Sequence, residues 1–153
     1  MIALLIALCV AQAQPGRTVA GLSAAIDPGQ PPALRGTLDY GLARGLAVAG
    51  EAGFLPGRRA LALGAGLVWE PVDGRWWNAG LLAMPEWVVP LGPDDAPGMD
   101  LGLGRTRVVG RASARVRWLA LWGLSVTARV DRVQPFDRSG GWFELGAGLA
   151  VRM

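Results

Sequence analysis

The sequence predicts an all-β fold, an eight-stranded antiparallel up-and-down transmembrane β-barrel, on three observations. Apolar residues recur with period two through most of the chain, the pattern of strands with one greasy face. Turn signals divide that pattern into eight segments, each close to the roughly 9–11 residues a tilted strand needs to cross a bilayer. Finally, the 153-residue chain is 52% hydrophobic with a mean hydropathy of +0.33, yet charge, Gly or Pro interrupts every candidate helix before it could span a membrane.

The strands are expected at about 18–27, 33–43, 45–55, 59–69, 75–85, 105–118, 123–133 and 141–153. In the second, Leu34, Gly36, Leu38, Tyr40 and Leu42 share one face, with Arg35, Thr37 and Asp39 on the other. In the third, Leu46, Val48, Ala52 and Phe54 oppose Ala47, Ala49, Glu51 and Gly53. LGAGL occurs at Leu63 to Leu67 and again at Leu145 to Leu149, leucines on one parity and glycines on the other. A dinucleotide loop would need a further glycine where Trp69 stands, so these repeats are strand grammar. The breaks are DPGQPP at 27–32, ARG at 43–45, LPGR at 55–58, EPVDG at 70–74, PLGPDDAPG at 90–98, a tight turn near Gly123 and QPFDRSGG at 134–141.

The sixth segment, RTRVVGRASARVRW, decides what the basic residues are for. Arg105, Arg107, Arg111, Arg115 and Arg117 all fall at odd positions, opposite Val108, Gly110, Ala112, Ala114, Val116 and Trp118. At about 100° per residue a helix would scatter them, whereas a strand aligns them on one face. The net charge of +3 and the pI near 10.4 therefore point to a polar interior rather than to nucleic acid.

MIALLIALCVAQA at 1–13, ending in Ala11-Gln12-Ala13, has the apolar core and small-x-small end of a signal peptide, leaving 14–153 as the barrel. The single cysteine, Cys9, lies inside that segment, and the chain has no histidine. Serine-histidine-aspartate catalysis is thereby excluded, no metal or cofactor is implied, and an enzyme is not expected. Paired carboxylates remain as the acid-base groups.

With the N-terminus on the periplasmic side, the connections after the first, third, fifth and seventh strands face outward and include the long ones. Trp69, Trp76, Trp77, Trp118 and Trp122, with Tyr40, then gather at the periplasmic ends, and Phe54, Trp87, Phe136 and Trp142 at the outer ends. Over 14–153 the chain resembles the small eight-stranded bacterial outer-membrane barrels, the OmpA-like and OmpX-like class. The most specific piece is WFELGAGLAVRM, apolar on alternate residues to the end. Leu149, Val151 and Met153 look like the C-terminal signal read by the barrel-assembly machinery, although members of the class usually end in Phe or Trp.

The resemblance is architectural and implies an outer-membrane location, a monomer among outer-membrane lipids, and a structural, adhesive or surface-interaction role. The alternative is a secreted soluble β-barrel carrier, which would carry its apolar face inward. Inside a barrel of this size side chains must pack against one another. The expected lumen network is Arg35, Asp39, Glu51, Arg111, Arg115, Arg117, Arg129, Asp131, Glu144 and Arg152, with glycines 53, 64, 66, 146 and 148 leaving room. Eight inward arginines would exceed four acids, and Arg105 and Arg107 at the outer rim are candidate contacts for an anionic surface lipid. A turn centred near Leu121 would set Arg111 opposite Asp131 and Ser113 opposite Arg129, to within one two-residue register step.

Overall fold

In the computed structural model, which describes residues 15–27, 30–73, 76–91, 107–119, 123–136 and 141–153, eight antiparallel strands close into a barrel in sequence order. They are β1 (Thr18–Ile26), β2 (Ala33–Ala43), β3 (Leu46–Leu55), β4 (Ala60–Asp73), β5 (Trp77–Pro90), β6 (Arg107–Leu119), β7 (Leu124–Pro135) and β8 (Trp142–Arg152). The last strand pairs with the first, Leu22 against Leu149 and Ala20 against Val151, so no edge is left unpaired. The barrel has a terminal end, where β1 begins and β8 finishes, and a loop end at the opposite pole.

The connections at the terminal end are short. Gly45, with φ of 73°, and Gly123, with φ of 77°, adopt the left-handed backbone that such turns need. At the loop end β3 and β4 are joined by a 3-10 turn at Pro56–Arg58, closed by Arg59 with φ of 47°.

Two strands run past their expected ends at 69 and 85, each through a proline. β4 continues through Pro71 to Asp73 by way of a bulge between Trp69 and Val72. β5 continues through Pro85 to Pro90, and its pairing with β4 is interrupted between Gly64↔Glu86 and Leu67↔Ala83 while its pairing with β6 runs through Pro85↔Gly110. Proline removes one ladder donor. A strand held by neighbours on both sides tolerates that loss.

The register between β6 and β7 falls at the edge of the expected window. Ser113 lies opposite Asp131, Arg111 opposite Val133 and Arg115 opposite Arg129, one two-residue step from the predicted pairing. A two-residue step keeps every side chain on its face, so inward and outward sets are unchanged.

The outward face is apolar. Leu22, Leu38, Leu63, Leu67, Leu81, Val126, Val130, Leu145 and Leu149 are all exposed there. Trp69, Trp76, Trp77, Trp118 and Tyr40 are exposed toward the terminal end, and Phe54, Trp87, Phe136 and Phe143 toward the loop end. Trp122 lies outside the described residues. Trp142, expected in the outer aromatic belt, instead packs against the inward cluster of Ala25, Ala33, Leu55, Ala60, Ala62, Val88, Val109 and Val133. Phe143, one residue on and of the outward parity, takes the belt position.

Candidate functional site: the charged lumen

Alternation on each strand sends one set of side chains inward, and there the buried charges meet. Those on the loop side of the lumen form the larger of two clusters. Arg111 sends its guanidinium among four carboxylates: Glu86 at 2.8 Å, Glu51 at 3.1 Å, Glu144 at 3.5 Å and Asp131 at 4.0 Å. Arg35 reaches Glu144 at 2.9 Å and Glu86 at 3.1 Å, and Arg129 reaches Glu51 at 2.8 Å and Asp131 at 3.0 Å. Glu144 also accepts a 2.8 Å hydrogen bond from Trp142 Nε1.

A second cluster lies toward the terminal end. Arg115 stands 2.8 Å from both Asp39 and Glu70, Arg117 is 3.1 Å from Asp39, and Asn78 Nδ2 donates to Glu70 at 3.3 Å. Between the two clusters is a cavity of about 30 Å³, lined in part by Asp39, Glu51, Arg115, Arg117 and Arg129. That is room for about one water molecule. Toward the loop end the inward apolar cluster around Val88, Val109 and Val133 lies above the charges.

Glycines make the long side chains fit. A Cβ on Gly53 would lie 3.1 Å from Arg35 Nη1, one on Gly146 2.9 Å from Arg129 Cγ, and one on Gly80 2.8 Å from Glu70 Cγ. Gly64 and Gly66 instead lie against Met84, and Gly148 against Ser23 and the Leu22 carbonyl.

The structure thus brings together nine of the ten residues expected in the lumen network, all of them buried: Arg35, Asp39, Glu51, Arg111, Arg115, Arg117, Arg129, Asp131 and Glu144. Arg152 is half-buried at the end of β8, opposite Val19. Arg107 is half-buried at the loop end opposite Val88, and Arg105 lies outside the described residues. Leu149, Val151 and Met153 are exposed along and beyond the outward side of β8.

The expected arginine excess narrows: among the described residues seven arginines take inward strand positions, with Arg107 and Arg152 only half-buried. Among the described residues five buried arginines face six buried carboxylates, because Glu70 and Glu86 also point inward. Both follow from the strand extensions, since Glu70 and Glu86 lie just past the ends expected for the fourth and fifth strands at 69 and 85. A signal was present, since Trp77 and Trp87 share a parity ten residues apart, the span from one aromatic belt to the other.

An apolar exterior around a charged interior, on eight strands closed in sequence order, reverses the polarity of a soluble barrel. The fold is that of the small eight-stranded outer-membrane β-barrels. The N-terminal β-barrel domain of Pseudomonas aeruginosa OprF matches with a TM-score of 0.75 at 10% identity, covering 91% of this chain and 98% of that one. A de novo designed transmembrane β-barrel matches at a TM-score of 0.61 and 12% identity, over 92% of this chain and 98% of the design. Yersinia pestis Ail in a phospholipid nanodisc matches at 0.55 and 12% identity, over 90% and 99%. No protein-family model matches the sequence, and no curated protein matches it. At such identities the likeness concerns the barrel architecture alone.

Proposed function

We propose that this barrel resides in the bacterial outer membrane with its lumen closed by the two ion clusters, and that it serves a structural, adhesive or surface-interaction role through its loop end rather than catalysis or solute conduction. The observation that carries this reading is the inverted polarity: leucine, valine and aromatic side chains stand outward while five arginines and six carboxylates are buried. A soluble carrier barrel needs the opposite arrangement. Closure is supported by the interior space, about 30 Å³ between the charge clusters, too little for a hydrated ion to pass without rearrangement.

Residues 1–13 act as the export signal in this reading, and Leu149, Val151 and Met153 as the motif that the assembly machinery reads. Arg107, with Arg105, is the candidate rim contact for an anionic surface lipid.

Fractionation tests the location: the mature protein should stay with the outer membrane through carbonate and high-salt washes, and release into the soluble fraction would overturn the proposal. Planar-bilayer recording tests closure. The wild-type barrel should conduct poorly, and a large steady conductance would show a pore instead.

A further inference from the structure

Among the described residues, the outward positions of the eight strands carry one charged side chain, Arg132. It stands on β7 near the loop end, with its guanidinium 4.6 Å above the Phe143 ring and Nη2 donating to Gln134 Oε1 at 3.1 Å. Gly141 lies beside it: a Cβ there would fall 3.3 Å from Arg132 Cζ and 2.7 Å from Gln134 Oε1. The fork is therefore oriented by an aromatic face and an amide, and the neighbouring backbone leaves it room.

Small residues extend away from it across the sheet. Arg132 pairs with Phe143 on one side and Ala112 on the other, Ala112 pairs with Ala83, and Ala83 with Leu67. Ala83, Ala112 and Ala114 floor an open outer groove of about 580 Å³, with Trp69, Leu81, Val130 and Phe143 along its sides and Arg132 at one end.

We propose that this groove binds a phosphate-bearing lipid, the phosphate on Arg132 beside Gln134 and one acyl chain along Ala112 and Ala83. The inference rests on the membrane-spanning reading, because it takes the outward face to meet lipid. Beside the belt residue Phe143 the outward guanidinium stands at the level of lipid headgroups, and its planar fork matches two phosphate oxygens. A second copy of the chain could not supply that counter-charge from the same face, since its described outward strand positions hold no acid. Free phosphate would leave the apolar groove unused.

The test uses the whole mature barrel folded in a neutral polyoxyethylene detergent, with native mass spectrometry counting retained molecules. The probes are dioleoyl phosphatidic acid, dioleoylglycerol and glycerol 3-phosphate. Wild type should retain one phosphatidic acid and neither of the others. Arg132→Gln should weaken retention about tenfold or more, the loss of a charge-assisted bond. Arg132→Lys should retain part of it, and Ala112→Leu should block the chain with the guanidinium intact.

Equal retention by wild type and Arg132→Gln, or by wild type and Ala112→Leu, would overturn the proposal. So would glycerol 3-phosphate binding as tightly as the lipid. The folded-to-unfolded gel shift checks each variant, and if Arg132→Gln fails to fold, the Arg132→Lys and Ala112→Leu pair decides. Flotation with phosphatidylcholine vesicles separates the two readings: a barrel that inserts but ignores phosphatidic acid refutes this inference alone, while one that never inserts refutes the membrane reading.

Discussion

The two ion clusters occupy one lumen but are assembled on different terms. On the loop side three arginines meet four carboxylates drawn from β2, β3, β5, β6, β7 and β8, beneath an apolar layer. On the terminal side two arginines of β6 meet two carboxylates from β2 and β4. Removing one arginine leaves four acids facing two cations in the first case, and two facing one in the second. The cost of a missing partner therefore depends on the uncompensated charge left behind, not on how many short distances are lost.

The largest expected effect follows from that imbalance. Arg111→Ala should destabilise the folded barrel by about 3–5 kcal/mol, the typical cost of stranding buried charge. Urea unfolding in detergent, followed by the gel shift, measures it. Arg111→Met should do no better, because it restores volume and not charge. A loss no greater than that of a terminal-side variant would remove the distinction between the clusters.

Within the loop-side cluster, distance should sort the couplings. Asp131 stands 3.0 Å from Arg129 and 4.0 Å from Arg111. Double-mutant cycles should therefore give Asp131 a larger coupling with Arg129 than with Arg111, both within the roughly 0.5–3 kcal/mol seen for contacting residues. The reverse order would favour the register in which Arg111 lies opposite Asp131.

That register shows how far the sequence could be read. Parity alone placed Arg35, Glu51, Arg111, Arg129 and Glu144 inside, because a period of two survives any even shift of one strand along another. It could not fix the shift itself, which depends on the geometry of the turn between β6 and β7. Nor could it recognise Glu70 and Glu86 as inward, since proline is a strong local break and only the pairing of β4 and β5 with neighbours on both sides overrides it. Arg132 was legible by the same parity, standing in line with Leu124, Val126 and Val130, but its significance required knowing that no other charge shares the outward face among the described residues.

The terminal-side cluster should respond more weakly and unevenly. Arg115 is 2.8 Å from both acids, whereas Arg117 is 3.1 Å from Asp39 and 3.8 Å from Glu70. Arg117→Ala should cost about 1–3 kcal/mol, as for a buried acceptor that loses one donor, and Arg115→Ala should cost more. Equal losses in the same urea assay would mean that the two arginines exchange positions freely around the acids.

The smallest effect is expected at the rim, where the ion pair of Arg58 and Asp27 spans 2.8 Å with 19% of the Asp27 side chain exposed. With 7% of the Arg58 and 19% of the Asp27 side chain exposed, solvent screens the pair only in part, so Asp27→Ala should cost about 1 kcal/mol and less at high salt. Arg58 has a second attachment, its guanidinium lying 3.6 Å from the Trp142 ring centroid. Arg58→Ala should therefore exceed Asp27→Ala by about 0.5–1 kcal/mol, and that excess should persist in high salt because the stacked contact is shielded by the ring. Arg58→Lys should fall between them, keeping charge but losing the planar face. Since Trp142 also donates to Glu144, a loosened ring would reach the loop-side cluster. If Asp27→Ala were as damaging as Arg117→Ala, burial would not be what ranks these ion pairs, and the contrast between the two clusters would need another cause.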